Sequence, residues 1–490
     1  MARQQVYHVG KPTPTEQLHL PVVEAEVYVK REDLSPIHSY KWRGAYNRMA
    51  KLSPEERERG IVAASAGNHA QGVALAASKL GIPARIYMPV SAPRMKQAAV
   101  KRHGQERVEV ILHGDSYSDA AKRAFEDVAE SKSPFIHPYD DLGTMGGQGT
   151  LADEAVMSGH GPFDVAYLQI GGGGMASAVA CWLKSYFPGI RIVGVQNAGQ
   201  ASMVEAFAEG GPIELDYVDV FCDGTAVKKA GEKTYALCRE LLDDLITVTN
   251  EEVCAAIQLM WEATRCIPEP SGAMGVAGLM KQQDQVKGQK ALTVLTGSNL
   301  DFGQLAWIGR HAGIGGGRRR YMRFEIPERP GGMLYLLDNA LGDVNIIEFQ
   351  YGKVHPSKSW PVIGFEASPL EMQLLTQRLT EMGVTFEDVT SEADVEFRII
   401  HYEPGLFTHP YFISFEFPER PGALHDFLVT VRGRANLCYF NYTFTGELVG
   451  RALMGFEFAS EDQRDEFRQV LIDSTHAWRE IPEAAVKRML

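Results

Sequence analysis

Four short segments carry residue types suited to chemistry. The first is Ser39-Tyr40-Lys41-Trp42-Arg43-Gly44-Ala45-Tyr46-Asn47. Ser39 is a good helix N-cap, which places Lys41 in the first helical turn, where the positive end of the helix dipole lowers an ammonium pKa. A neutral amine is what a Schiff-base lysine requires. A surface lysine is the competing reading, and the aromatic flanks Tyr40 and Trp42 favour burial. The second segment, Ala63-Ala-Ser65-Ala66-Gly67-Asn68-His69, is a strand ending in small residues just before a helix. Backbone N–H groups there suit a carboxylate or phosphate, although Asn68 and His69 are also ordinary capping residues. The third, Val165 to Met175, holds four consecutive glycines, Gly171, Gly172, Gly173 and Gly174, between a strand and a helix. Four glycines are costly in chain entropy, and a phosphate cradle that needs bare backbone accounts for them. The spacing is neither GxGxxG in context nor a P-loop. The fourth, Leu292-Thr-Val-Leu-Thr296-Gly-Ser-Asn299, puts a hydroxyl at the carboxyl edge of a strand, where ligands of open α/β sheets bind and where a cap is equally at home.

An amine, a carboxylate turn, a phosphate loop and a neutral hydroxyl on separate elements together describe a pyridoxal 5′-phosphate site. The elements that must position them are legible. From about residue 22 to 310, strand-length apolar runs (22–29, 61–64, 84–88, 108–112, 165–170, 190–195 and 292–296) alternate with helical segments, the pattern of an α/β domain. In the segment from His69 to Gly81, Val73, Ala74, Ala77 and Leu80 share one face, and Gly81 followed by Pro83 marks a stop. The pattern breaks at Ile314-Gly-Gly-Gly-Arg-Arg-Arg320, which reads as a linker.

Beyond it lies an internal repeat with an offset of 91: Phe324-Glu-Ile-Pro-Glu-Arg-Pro-Gly-Gly-Met333 recurs as Phe415-Glu-Phe-Pro-Glu-Arg-Pro-Gly-Ala-Leu424. Gly342 and Gly433, Asn345 and Asn436, Phe349 and Phe440, and Tyr351 and Tyr442 match at the same offset. Each copy reads as a strand, a Pro-Gly turn, a helix of about a dozen residues, two strands and a second helix. The organisation expected is a catalytic region 1–315 of two α/β lobes and two α+β modules, 321–400 and 410–490, joined near Glu403-Pro-Gly405.

The ordered set of motifs, with Glu269-Pro-Ser-Gly-Ala, Asp223-Gly-Thr-Ala-Val-Lys-Lys and Leu242-Asp-Asp-Leu-Ile-Thr-Val, resembles the fold-type II (tryptophan synthase beta-like) pyridoxal-phosphate enzymes, and within them the threonine deaminases. The tail resembles their ACT-like regulatory domains. The resemblance implies that Lys41 carries the cofactor and then takes the substrate Cα proton, that Asn68 bonds the cofactor 3′-oxygen, and that Gly171–Gly174 and Met175 hold its phosphate. It assigns the substrate carboxylate to Ser65, Ala66, Gly67 and His69, and the ring nitrogen to Thr296. A neutral hydroxyl cannot keep that nitrogen protonated as an Asp would, which favours loss of a β-hydroxyl over transamination or racemisation. Tyr40 and Trp42 stand where the family has Phe and Leu, a difference expected to bear on pocket size. Gln196-Asn-Ala-Gly replaces acidic residues, so no metal is expected. In the tail, Gly331, Met333, Gly422 and Leu424 are the effector-turn residues.

The function implied is deamination of threonine, with serine as a second candidate substrate, to 2-oxobutanoate and ammonia for isoleucine synthesis. Isoleucine is the expected inhibitor, valine a candidate activator, and a homotetramer or dimer the expected assembly. The alternatives are a serine deaminase, a serine racemase, or an amino-acid sensor without catalysis. Composition agrees with a soluble enzyme: in 490 residues, 45% are hydrophobic, and 49 Lys and Arg against 62 Asp and Glu leave a net charge of −13, which excludes a nucleic-acid footprint. The six cysteines lack CxxC spacing and read as reduced small hydrophobes. No membrane span or leader is legible, so the cytosol is the expected location.

Overall fold

A computed structural model describes residues 2–341, 344–418, 420, 422–444, 449–473 and 477–489. Gly342 of the repeat, and Glu419 and Pro421 of the second Pro-Gly turn, lie outside the described residues. The chain divides into two compact units, Met1–Gly315 and Gly316–Leu490.

Local chemistry sets many element ends. Capping boxes open four helices, through Ser53 with Glu56, Ser116 with Asp119, Thr249 with Glu252 and Ser368 with Glu371. The helix Asn68–Leu80 stops at Gly81 in the left-handed conformation, with Val73, Ala74 and Ala77 fully buried.

In the first unit the strands are β1 (Thr15–Leu18), β2 (Glu26–Arg31), β3 (Ile61–Ala64), β4 (Ala84–Met88), β5 (Val108–Leu112), β6 (Val165–Gln169), β7 (Arg191–Asn197), β8 (Asp244–Val248) and β9 (Lys290–Leu295). The larger sheet runs β1-β2-β9-β6-β7-β8, with β1 antiparallel to β2 and the other neighbours parallel; the smaller, β3-β4-β5, is parallel throughout. Helices cover these sheets, giving two α/β lobes. Two expectations shift. The first predicted strand begins at Glu26, because the chain turns back at Leu20–Val23. The linker shrinks to Gly316–Arg318: a helix runs on to Gly315, where a Cβ would stand 1.9 Å from the Glu251 carbonyl oxygen, so only glycine lets it lie on the start of Asn250–Thr264.

Beneath the helix Lys41–Met49 lies a buried cluster of two cations and two anions. Arg43 donates from Nε to Glu32 Oε2 at 2.9 Å, from Nη2 to Glu32 Oε1 at 2.9 Å, and from Nη1 to Glu154 Oε1 at 2.5 Å. Lys30 pairs with Glu154 at 2.6 Å. Tyr7 and Thr13 close it with hydrogen bonds to Glu154 at 2.8 and 3.0 Å, which binds the N-terminal segment to the helix.

The second unit contains β10 (Arg319–Pro327), β11 (Asn345–Gly352), β12 (Lys358–Ser359), β13 (Val362–Glu366), β14 (Thr385–Asp388), β15 (Tyr411–Pro418), β16 (Asn436–Thr443), β17 (Val449–Glu457) and β18 (Trp478–Glu480). The first copy orders as β14-β10-β13-β11 and the second as β16-β17-β15-β18. Antiparallel pairing of β11 with β16 fuses them into one sheet. Its register sets Gln350 opposite Asn441, equivalent positions in the repeat, and Phe349 opposite Tyr442 while Tyr351 opposes Phe440, the mark of a pseudo-twofold axis. The register shifts at equivalent places as well, beside Ile347 and Cys438. The first helices, Gly332–Leu336 with a wide turn to Leu341 and Ala423–Thr430, are shorter than the dozen residues expected, and in each copy the second helix is followed by a strand and a short helix that the sequence pattern did not announce.

Removing one partner of a buried ion cluster leaves an uncompensated charge and costs roughly 3–5 kcal/mol. Glu154→Ala is therefore expected to lower unfolding free energy by about that amount in urea denaturation, and Lys184→Ala, which breaks a partly exposed surface ion pair with Asp243, by less than about 1 kcal/mol. Equal effects would show that the cluster does not hold the fold.

Candidate active site

Lys41 is the first residue of its helix. Ser39 does not cap it, contrary to expectation. Ser39 forms a β-bridge with Gly297, Ser298 N–H donates to the His38 carbonyl at 3.0 Å, and Tyr40 N–H donates to the Thr296 carbonyl at 3.2 Å. The pinned backbone leaves Tyr40 at the cap position and the Ser39 hydroxyl buried without a partner. The end of β9 thus tethers the start of the lysine's helix. The Lys41 amine donates to the Pro138 carbonyl at 3.3 Å. Its pKa is pushed down to about 8, mainly by burial, with the negative charge of Glu269 opposing. Burial thus acts in the same direction as the helix dipole invoked from the sequence.

The glycine loop follows the carboxyl end of β6. A Cβ on Gly171 would stand 2.9 Å from the Thr225 backbone, on Gly172 2.3 Å from the Tyr139 ring, and on Gly174 2.8 Å from the Tyr139 backbone. Gly173 has φ +91°. The bare backbone is thus required by what packs behind it, and the loop ends on the N-terminus of the helix Gly174–Tyr186, where an anion is stabilised. Behind the loop, Asp140 Oδ1 accepts from the N–H groups of Lys233 and Thr234 at 2.9 and 3.2 Å, and the Thr234 hydroxyl donates to the Gly172 carbonyl at 2.5 Å.

Ser65, Ala66, Gly67, Asn68 and His69 form the turn from β3 into the helix Asn68–Leu80. Burial, aided by the charge of Lys41, pushes the His69 pKa down to about 3, so the ring is neutral. With Nε2 donating to the Ile136 carbonyl at 2.8 Å, the buried and unpartnered Nδ1 is an acceptor. An anion can take only a backbone N–H from this residue. Thr296, at the end of β9, is 3% exposed and its hydroxyl lies 3.5 Å from the Ser271 carbonyl.

A single cavity of about 1110 Å³ is lined by Lys41, Ser65–His69, Gly171–Gly174, Met175 and Thr296. The carboxyl ends of β3, β6 and β9 all open onto it. Tyr40 is on its wall; Trp42 is not, being packed with Val6, Ile37 and Leu75, so it does not set pocket size. The lining also includes Tyr139, Gln169, Glu269, Ser271 and Asn299. Glu269 accepts from Asn68 Nδ2 at 2.6 Å, and Asn299 Nδ2 donates to Asn68 Oδ1 at 2.7 Å. The motif Glu269-Pro-Ser-Gly-Ala marks the segment in sequence, but the contact with Asn68 spans 201 residues and no local pattern reveals it. A neutralisable amine, a tight glycine loop at a helix N-terminus and a hydroxyl facing one cavity fit pyridoxal phosphate.

In the second unit, Gly331 and Met333 line one crevice with Leu428, Val431 and Asn436; Gly422 and Leu424 line its counterpart with Leu337, Leu341 and Val344. Each crevice joins the Pro-Gly turn of one copy to the first helix of the other. Both turn glycines are left-handed, at φ +84° and +81°. The cysteines form no disulfide; Cys222, Cys238, Cys254 and Cys438 are buried, while Cys181 is exposed.

Residues 6–297 match the family of pyridoxal-phosphate dependent enzymes, and residues 310–399 and 408–483 match the C-terminal regulatory domain of threonine dehydratase. The chain is 36% identical over 493 residues to the biosynthetic L-threonine dehydratase IlvA of Haemophilus influenzae, covering 98% of this chain and 94% of that one. The processed form of threonine deaminase isoform 2 from Solanum lycopersicum superposes with a TM-score of 0.60 at 37% identity, over 63% of this chain and 90% of that one. Maize serine racemase superposes at 0.59 with 29% identity, over 64% and 95%.

Gly172→Ala drives a methyl into the Tyr139 ring, an overpacking of about 1–3 kcal/mol, so affinity for pyridoxal phosphate measured by absorbance titration is expected to fall by about tenfold. Adding Tyr139→Ala should recover part of that loss; no recovery would place the obstruction elsewhere. Only the neutral Lys41 amine condenses with an aldehyde. The loading rate of apoprotein should therefore rise with pH about tenfold per unit below 8 and level off above it. A rate that keeps rising to pH 10 would mean an ordinary lysine.

Proposed function

The chain belongs to the biosynthetic threonine dehydratases, and on that premise we propose that it deaminates L-threonine to 2-oxobutanoate and ammonia, the first committed step of isoleucine synthesis, under feedback from isoleucine. The observation that carries this reading is the cavity that unites a buried amine of lowered pKa, a four-glycine anion loop and a neutral hydroxyl, in a chain that also bears the duplicated sensor fold.

Bound there, pyridoxal phosphate supplies the electron sink that acidifies the substrate Cα–H and lets a β-hydroxyl leave. Gly171–Gly174 and Met175 hold its phosphate through backbone N–H groups. Lys41 would carry it and, as a free amine, would take the substrate Cα proton, a task suited to an amine near pKa 8. The backbone of Ser65–His69 holds the substrate carboxylate, and the neutral His69 ring adds no charge beside it. Thr296 offers the ring nitrogen a hydroxyl in place of an acid. Loss of water, release and hydrolysis then give the oxo acid and ammonia.

For the tail, we assign amino-acid effectors to the two crevices, isoleucine as inhibitor and valine as activator, with Gly331 and Gly422 allowing close backbone approach and Met333 and Leu424 meeting the side chain. A homo-oligomer, tetramer or dimer, working in the cytosol completes the reading; no described helix is long and apolar enough to cross a membrane.

The test is 2-oxobutanoate release from threonine with and without isoleucine. Release that isoleucine suppresses supports the proposal; racemisation of serine in its place, or indifference to isoleucine, overturns it. Leu424→Phe, which crowds the second crevice, should raise the isoleucine concentration for half-inhibition about tenfold with uninhibited turnover unchanged. Unaltered inhibition would remove that crevice from the effector sites.

A further inference from the structure

Glu269 is a carboxyl group with 4% exposure, set at the heart of the cavity yet assigned no part in the chemistry above. Its backbone is fixed, with Glu269 N–H donating to the Gly297 carbonyl at 3.1 Å at the end of β9. Its two oxygens are held separately: Oε1 accepts from Asn68 Nδ2 at 2.6 Å and Oε2 from Asn299 N–H at 3.2 Å. Asn299 Nδ2 in turn donates to Asn68 Oδ1 at 2.7 Å and to the Ile37 carbonyl at 2.9 Å. The Asn68 amide is thereby gripped at both ends, and one proton of Nδ2 is left to donate.

We propose that Glu269 is a positioning residue for the cofactor: as an acceptor it fixes the orientation of the Asn68 amide, so that the spare N–H is presented to the cofactor 3′-oxygen. The inference rests on the placement of the cofactor beside Asn68 in the function proposed above. An ionised carboxylate only accepts and makes a charge-assisted bond that holds Asn68 Nδ2 firmly; protonation weakens that hold, while Asn299 Nδ2 still donates to Asn68 Oδ1. The titratable and polar groups facing Glu269 are Asp223 from the turn Asp223–Thr225, Lys96 from the helix Arg94–Gly104, Tyr40 and Lys41 at the start of the helix Lys41–Met49, and Asn68 and Asn299. Lys96 and Asp223 are paired with each other. Burial first, then the charge of Asp223, pushes the Glu269 pKa up to about 7 against the pull of Lys96 and the two hydrogen bonds. The device therefore changes state near neutrality, and the electronic spectrum of the bound cofactor should follow it.

The experiment is a pH titration of the visible absorption of the holoenzyme between about pH 6 and 8.5. The wild type should change with a single midpoint near 7. Glu269→Gln, which cannot ionise, should bind cofactor but lose that step, with kcat for threonine lower by roughly tenfold to a hundredfold and KM within about threefold. Glu269→Asp should keep a step at a displaced midpoint. A flat wild-type spectrum, or a Glu269→Gln enzyme that titrates like the wild type, overturns the proposal. Should Glu269→Gln fail to fold, the wild-type and Glu269→Asp titrations decide. A wild-type protein that takes up no cofactor would instead overturn the functional reading beneath it.

Discussion

The guanidinium of Arg43 is the constraint on which the catalytic unit turns. It sits two residues past Lys41 on the same helix, fully buried, and is matched by Glu32 after β2 and Glu154 on a distant helix. A buried ion cluster is seldom the most stable filling for such a space. What it does supply is direction: the planar fork of Arg43 can donate to its two carboxylates in few geometries, so the helix can rotate or slide very little. The amine two residues earlier inherits that precision.

The remaining groups of the cavity gather by a different route. Parallel strands of two sheets all present their carboxyl ends to one space, and short turns there expose backbone N–H groups and small side chains. The tether from β9 to residues 38–40 then joins the lobe that bears the lysine to the edge that bears Thr296. Because the amine, the hydroxyl and Glu269 are all tied to the last residues of β9 or the loop just after it, their spacing is governed by one short stretch of chain.

Local chemistry was legible where it is local. The strands at 61–64, 84–88 and 108–112 stand where alternation and apolar runs put them, and Gly81 stops its helix as a left-handed cap. The glycine loop was evident, since no turn alone requires four glycines. Contacts across long stretches of sequence were not. Nothing near Arg43 points to Glu154, 111 residues away, nor near Gly172 to the Tyr139 ring. Ser39 looked like a cap because its type is right, but pairing with Gly297 claimed its backbone. Trp42 was expected to bear on pocket size because it stands where the resembled family has Leu; one residue past Lys41 on the helix, it points about 100° away and packs with Val6, Ile37 and Leu75. Short β8, half-buried and opening on Asp243 and Asp244, lacked the apolar run that revealed the other parallel strands.

The pairing of β11 with β16 has a further meaning. Two copies of a small fold meet across an axis through Gln350 and Asn441, an arrangement that separate subunits reach only at sufficient concentration. Here the partners share one polypeptide. Covalent connection makes their association independent of dilution, and also lets the halves diverge, since each face of the pair is encoded separately. Met333 and Leu424 already differ at equivalent places. A true homodimer would have to carry every such change twice.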